Sequence, residues 1–223
     1  MKTTRESELR VTSGQRKEEK VFLVIALALA VVAGVGGWIA AGAFSHPEQG
    51  QGVLPDRERT LGDFSLTDES GRTVTRAELD GKILVVSFLF TGCSLTCPEI
   101  SRRMAEIQQL TARDPDVRLV SLTVDPRSDT PPVLAQWGAR FGADTNRWRL
   151  LTGSKTVLHG LIAKSFLSQD NGDPFNSMPG NFTGTERIAV VDRHRRTRMY
   201  FDGLRHETAA AVAAEITQLR AEP

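Results

Sequence analysis

Residues 83–99, ILVVSFLFTGCSLTCPE, decide the fold of this 223-residue chain because they join a long apolar run to both of its cysteines. Between residues 83 and 90 only Ser87 is polar. Such a run predicts a strand that is buried on both faces of a sheet with crossover helices. A Thr-Gly pair then ends the run, and the proline after the second cysteine suits the start of a helix. The stretch therefore predicts that Cys93 and Cys97 lie at a strand-to-helix junction.

Three residues separate the two cysteines. In or near the first helical turn, Cys93 and Cys97 would share one face of the helix, whose N-terminus favours thiolate over thiol. Two soft ligands suit a redox-active disulfide, a copper(I) ion, or both in alternation. Structural zinc usually needs four ligands, which no second cysteine pair or close histidine pair supplies here. A purely structural disulfide is an alternative, although so short a loop removes little entropy from the unfolded chain.

The N-terminal part of the chain contains a segment that suits a membrane. Residues 21–44 carry no charge and are long enough to span a bilayer as a helix. Six basic residues lie in residues 1–20, and the stretch just after the segment has none. The positive-inside rule therefore predicts a cytoplasmic tail and an outward-facing domain. Residues 41–43, Ala-Gly-Ala, also fit a signal-peptidase site, and cleavage there would release a soluble product.

Composition and charge narrow the class of protein. Residues 45–62 are rich in polar residues, Gly and Pro, which predicts a linker, and residues 63–223 remain for one globular domain. The formal net charge of the whole chain is +1, so a nucleic-acid-binding surface is not expected. The predicted location is the inner membrane, single-pass, with the domain in the periplasm or an equivalent outer compartment. There an unattended cysteine pair tends to become a disulfide.

Periodicity predicts the elements of the domain. Residues 64–80 alternate around a Ser-Gly turn, which indicates a β-hairpin. The elements predicted after the cysteines are a helix at 99–113, a strand at 117–124, a helix at 130–141, a strand at 148–151, a helix at 154–166, strands at 187–191 and 197–201, and a helix at 207–219. This order implies an α/β domain with a central mixed sheet and helices on both faces. A dithiol after the first long buried strand is typical of the thioredoxin-like fold, whose sites lie at the carboxyl ends of strands.

Helical spacing assigns one stripe of the first helix to the core, with Met104 as packing rather than as a metal ligand. The members of this stripe are Ile100, Met104, Ile107 and Leu110. Asp125, at the end of the next predicted strand, could tune the thiols or contact a partner. We favour a structural role, in which an Asp before Pro satisfies backbone donors of the turn that also contains Asp129.

Three motifs in this order resemble the Sco/SenC family of membrane-anchored, thioredoxin-like copper proteins. They are FLFTGCSLTCP at 88–98, SLTVDPRSDTP at 121–131 and WRLLTG at 148–153. The resemblance extends over residues 63–219. It implies copper delivery to the dinuclear centre of cytochrome c oxidase, or thiol-disulfide exchange that prepares the cysteines of the oxidase for metal. It also implies Cys93 and Cys97 as copper ligands and redox pair, with an oxidase subunit or another copper-accepting protein and a thiol reductant as partners.

The sequence departs from the family at the third copper ligand. Members usually carry a histidine shortly before the strand that corresponds to residues 187–191, and here Gly184 occupies that position. Copper(II) prefers a set of ligands with nitrogen, so the loss favours copper(I) over copper(II). Met178 is a soft substitute in the same segment. His159 is interpreted as a helix-surface residue, and the other histidines, at 46, 194 and 206, as solvated or loop residues.

Other functions compete with copper delivery. Gly184 favours a metal-independent thiol-disulfide oxidoreductase, in which Cys93 attacks and Cys97 resolves the mixed disulfide. A redox or copper sensor without enzymatic activity is a further hypothesis. A peroxidase is disfavoured because Thr91 lies two residues before Cys93, whereas a peroxiredoxin site needs the T-x-x-C spacing.

Overall fold

The computed structural model describes residues 59–166 and 186–222. They form one mixed sheet with helices packed on both of its faces. The strands are β1 (Ser65–Asp68), β2 (Thr73–Thr75), β3 (Ile83–Leu89), β4 (Val117–Thr123), β5 (Trp148–Thr152), β6 (Arg187–Val191) and β7 (Thr197–Asp202). The helices are α1 (Thr96–Leu110), α2 (Pro131–Arg140), α3 (Lys155–Phe166) and α4 (Thr208–Ala221), with a 3-10 turn at Arg76–Leu79. The predicted α/β class and the N-terminal hairpin are confirmed.

The strand order is β2-β1-β5-β4-β3-β6-β7. The three central strands β5, β4 and β3 are parallel to one another, and antiparallel pairs flank them on both sides. Helix α1 connects β3 to β4, and α2 connects β4 to β5. The carboxyl ends of the parallel strands therefore meet at one edge of the sheet, where binding sites in open α/β sheets collect.

Strand β3 lies at the centre of two hydrophobic cores. All seven of its residues are buried, as the apolar run predicts. Ile83 and Val85 face a core formed with α1, α2 and α4. Leu84 and Val86 face the opposite core, formed with α3 and the N-terminal hairpin. Burial on both faces holds β3 rigidly, and the turn that leaves its carboxyl end starts from a fixed point.

Helix α1 is the element whose predicted bounds, 99–113, differ most from the structure. It begins at Thr96 and ends at Leu110, so it includes the second cysteine. The other predicted elements agree with the structure within two residues at each end. Helix boundaries depend on capping contacts that the apolar stripe does not report, which is why the stripe alone starts the helix too late.

The predicted core stripe of α1 is right for three of its four members. Ile100, Met104 and Ile107 are buried, but Leu110 is 57% exposed. Successive steps of three residues turn the side chain away from the core, because each residue rotates by about 100° around the helix axis. Thr111, one residue later, returns to the core-facing direction and is 1% exposed.

Parts of the sequence interpretation fall outside the described residues. The predicted cytoplasmic tail and anchor at 1–44, most of the linker, Met178 and Gly184 belong to this group. Within residues 59–166 and 186–222, none of the helices combines the length and the apolar character that crossing a bilayer requires.

Candidate thiol and metal site

Both cysteines lie at the end of the sheet where the parallel strands β3 and β4 finish. Leu89 and Thr123, the last residues of these strands, are register partners. Cys93 lies in the turn after β3, and its amide donates a hydrogen bond to the carbonyl of Phe90 at 3.1 Å. Cys97 is the second residue of α1. The predicted strand-to-helix junction is therefore confirmed.

The position of Cys93 relative to the helix corrects the expectation that both cysteines share the first turn. Helix α1 begins at Thr96, so Cys93 precedes it. The sulfurs nevertheless meet, because the Cys97 amide donates to Cys93 Sγ at 3.3 Å and the two thiols hydrogen-bond to each other. Leu95, at the N-cap, offers no side-chain cap. The Cys93 sulfur therefore accepts one of the amide hydrogens that a capping side chain would otherwise satisfy.

The two thiols differ in exposure and in acidity. Cys97 is 1% exposed, whereas Cys93 is partly exposed. Burial opposes ionisation of Cys93, but hydrogen bonds from the Thr96 hydroxyl, at 3.3 Å, and from the Cys97 amide outweigh it and lower the pKa of Cys93 from 9.0 to about 7. Burial and the nearby Cys93 sulfur raise the pKa of Cys97 from 9.0 to about 12. Cys93 is thus the more accessible and more acidic sulfur of a reduced pair.

Asp129 holds the turn that carries Cys93. Its carboxylate is fully buried and accepts hydrogen bonds from the Thr91 amide at 3.1 Å and from the Thr91 hydroxyl at 2.5 Å. It also accepts a hydrogen bond from the Thr123 hydroxyl at the end of β4. Because Thr91 lies two residues before Cys93, one carboxylate ties the cysteine-bearing turn to the neighbouring strand.

The structure gives Asp129 the role that we expected for Asp125. The Asp125 carbonyl accepts hydrogen bonds from the amides of Ser128 and Asp129. Its side chain, together with Arg127, lines an open surface depression of about 530 Å³. The D-P-R-S-D spacing places the second aspartate just before the start of α2. The sequence does not say which of the two carboxylates turns back to the strand ends, because that depends on how the turn packs.

The histidines of the described segments have partners or positions that do not complete the thiol site. His194 is exposed in the β6–β7 turn, as predicted. His206 lies before α4 and accepts a hydrogen bond from Arg103 through Nδ1 at 3.1 Å, so the neutral ring carries its proton on Nε2. His159, expected at the helix surface, is half-buried, and its Nε2 donates to the Val124 carbonyl at 3.2 Å.

Two sulfurs are the donors that the structure brings together at this site. No group of three or more His, Cys, Asp or Glu side chains within residues 59–166 and 186–222 is arranged to hold a metal ion. Two adjacent soft donors, of which one ionises near neutral pH, suit copper(I), which accepts two thiolates in near-linear coordination. Gly184 and Met178 lie outside these segments, so their effect on a third ligand stays a prediction.

Comparison with known proteins decides the family. The SCO1/SenC family model matches residues 53–221, which include every element of the sheet and both cysteines. The chain belongs to the SCO1/SenC family. The resemblance drawn from the three sequence motifs is confirmed, and with it the thioredoxin-like fold.

Two relatives and one solved structure illustrate the similarity to SCO1/SenC proteins. Over 105 residues the chain is 32% identical to the SCO1 protein homolog of Bacillus subtilis, covering 46% of this chain and 54% of that protein. Over 161 residues it is 31% identical to the SCO2-like protein of Rickettsia felis, covering 69% of this chain and 75% of that protein. The copper-bound structure of ScoI from Bradyrhizobium japonicum has a TM-score of 0.54 and 25% identity, covering 70% of this chain and 98% of that one. The match therefore spans about half the length of the Bacillus relative.

Proposed function

We propose that this protein carries copper(I) as cargo on Cys93 and Cys97 and delivers it during assembly of the copper centre of cytochrome c oxidase. The observation that carries the proposal is the contact between a partly exposed, acidic Cys93 sulfur and a buried Cys97 sulfur in a chain of the SCO1/SenC family. The copper-bound structure of the Bradyrhizobium japonicum relative supports copper as the cargo.

The same sulfurs can exchange electrons with a partner. In a disulfide between them, a thiolate of the reductant attacks one sulfur, and the other leaves as a thiolate that takes up a proton. A second thiol of the reductant then releases the mixed disulfide, so two electrons pass to the cysteine pair. In the reverse direction, Cys93 attacks a partner disulfide because it is the accessible and acidic sulfur, and Cys97 resolves the mixed disulfide. Reduction is required before copper(I) can bind, since thiolates are the ligands.

Copper(I) titration of the reduced full-length chain tests the proposal. We expect one copper(I) ion per chain in competition with a colorimetric copper(I) chelator, and loss of this binding in Cys93→Ser and in Cys97→Ser. The matched control is Ser94→Ala, which changes the intervening loop and leaves both sulfurs in place. A chain that neither retains copper(I) nor reduces a model disulfide would falsify the proposal.

A metal-independent thiol-disulfide oxidoreductase is the second candidate. It is favoured by the two-sulfur donor set within the described segments and by Gly184 at the position of the expected histidine. This candidate predicts reduction of a model disulfide at a rate that copper(I) chelators leave unchanged, with no copper(I) retained in the titration. High-affinity copper(I) binding that depends on both cysteines contradicts it.

We also propose that residues 21–44 anchor the protein in a membrane and that the thiol domain lies on the outward side. The uncharged segment and the basic residues before it support this arrangement. The full-length chain is then expected in the membrane fraction after a carbonate wash, and its domain should be degraded by protease added to the outside of spheroplasts. Recovery of the untruncated chain in the soluble fraction contradicts the anchor.

A further inference from the structure

Thr96 is placed to act on the sulfur chemistry rather than on the helix that it begins. As a first-turn residue with a hydroxyl, it could bond to backbone groups of its own helix. Instead its Oγ1 lies 3.3 Å from Cys93 Sγ, and the Cys97 thiol is also within hydrogen-bond reach of this hydroxyl. The N-cap of α1 has no side-chain hydrogen bond. The hydroxyl is therefore directed to the two sulfurs.

The surroundings leave few other donors for the Cys93 sulfur. The Cys97 amide donates to it from within α1 at 3.3 Å. This amide belongs to the main chain, so it is present whatever side chains occupy the loop. Thr96 is the side chain, apart from Cys97 itself, that donates to the sulfur within the described residues.

We infer that Thr96 is a positioning residue that stabilises the reduced cysteine pair relative to the disulfide. In the dithiol, the Cys93 sulfur accepts the hydroxyl hydrogen. In the disulfide, the two sulfurs approach to about 2.05 Å and neither carries charge, so each is a poorer acceptor. The hydrogen bond is therefore worth more in the reduced form, which is the form that accepts copper(I) or attacks a partner disulfide. This inference deepens the proposed function and rests on it.

The balanced reaction that reports the effect is reduction by a monothiol. The Cys93–Cys97 disulfide and two glutathione thiols give two cysteine thiols and one glutathione disulfide. One sulfur-sulfur bond breaks in the protein and one forms in glutathione, and two electrons and two protons move to the protein. A net hydrogen bond changes such an equilibrium by about threefold to tenfold.

The experiment equilibrates the full-length chain in glutathione buffers of graded ratio and counts reduced cysteines by mass-tag alkylation. We expect Thr96→Val, which removes the hydroxyl and keeps the shape, to shift the equilibrium about threefold to tenfold toward the disulfide. Thr96→Ser, which keeps the hydroxyl, should restore the wild-type equilibrium. Ser94→Ala should leave it unchanged, because the Ser94 side chain is exposed in the same loop. Far-ultraviolet circular dichroism of each variant shows that α1 remains folded.

The outcomes separate this inference from the proposed function. If the wild-type pair never forms a disulfide that glutathione reduces, the redox part of the proposed function fails. If the wild type titrates normally and Thr96→Val matches it, the role of Thr96 alone is overturned. An equal shift in Thr96→Val and Thr96→Ser also overturns it, because the side-chain shape, and not the hydroxyl, would then set the equilibrium.

Discussion

The two ends of the sheet each contain a buried aspartate in a turn, but the two carboxylates have different partners. Asp192, 5% exposed, lies where β6 turns into β7 and accepts hydrogen bonds from the side chains of Arg196 and Arg198. Asp129, at the cysteine end, is bound by the Thr91 amide and by threonine hydroxyls, with no ion pair to a basic residue among the described segments.

The difference teaches how the thiol end is kept free of fixed positive charge. At the β6–β7 end, arginines neutralise the buried carboxylate, and the turn has no chemistry to disturb. An arginine beside Cys93 would attract its thiolate strongly and compete with a bound cation. The neutral donors around Asp129 hold the turn without that effect. The acidity of Cys93 therefore depends on hydrogen bonds from Thr96 and Cys97.

The largest expected effect is the difference in reactivity between the two sulfurs. In Cys97→Ser, alkylation of Cys93 by iodoacetamide should rise with pH and reach half its maximal rate near pH 7, since the pKa of Cys93 is lowered to about 7. In Cys93→Ser, Cys97 should stay unreactive until well above pH 9, since burial raises its pKa to about 12. Near neutral pH the rates should differ by more than about a thousandfold. Equal pH profiles would show that the cysteine end does not distinguish its sulfurs.

The next effect compares Asp129→Ala with Asp192→Ala in the full-length chain. Loss of the Asp129 carboxylate leaves the Thr91 amide and two hydroxyls without their acceptor, at a cost of about 3 kcal/mol in the free energy of unfolding. It should also slow alkylation of Cys93 at neutral pH by about threefold or more, because the turn is no longer held.

Asp192→Ala is the matched control for that comparison. It should cost about 2 kcal/mol in urea unfolding, because the partly exposed arginines can be solvated, and leave the alkylation rate of Cys93 unchanged. A change of the thiol rate in both variants would mean that the two ends of the sheet are not independent.

A smaller effect concerns stability in acid. Burial opposes ionisation of Asp192, but hydrogen bonds from the Arg196 amide and from the Arg196 and Arg198 side chains outweigh it and lower the pKa of Asp192 below 3.8. A depressed pKa in the folded state gives stability that is present above the ordinary value and is lost as the pH falls through the folded value. Between about pH 5 and pH 2.5, Asp192→Asn should therefore lose about 1 kcal/mol less unfolding free energy than the wild type. An identical acid dependence would contradict this arrangement.

The smallest effect comes from the backbone of the β6–β7 turn. Arg195 has a φ of 70°, the left-handed region that costs a non-glycine residue about 1 to 2 kcal/mol. Arg195→Gly relieves this cost but makes the unfolded chain more flexible, so we expect a net stabilisation of about 0.5 kcal/mol in urea unfolding. The matched replacement Arg193→Gly should not stabilise, because it removes the side chain that pairs with Asp116.

Much of the fold could be predicted from local patterns, and the exceptions have identifiable causes. The apolar run before the cysteines predicts β3 because a strand buried on both faces needs apolar residues throughout. The exposed Leu110 could not be predicted by counting apolar residues, because successive steps of three rotate it off the stripe while Thr111 takes its direction.

The candidate site was predictable in its residues but not in its contacts. Cys93 and Cys97 are the two cysteines of the chain, and the spacing of the motif identifies them. The role of Asp129 could not be read from the sequence, because Asp125 carries the same carboxylate at the same end of the sheet. Only the path of the turn shows which of them reaches Thr91.

The sequence by itself determined the strand-to-helix junction, the α/β class and membership of the SCO1/SenC family, since these follow from hydrophobic period and from motifs that are local in the chain. The tertiary structure decided that Cys97 is buried while Cys93 is accessible, and that neutral donors hold the turn between them and β3. Burial and hydrogen bonding depend on which residues distant in sequence are packed against each sulfur, and these contacts exist only after the strands have paired.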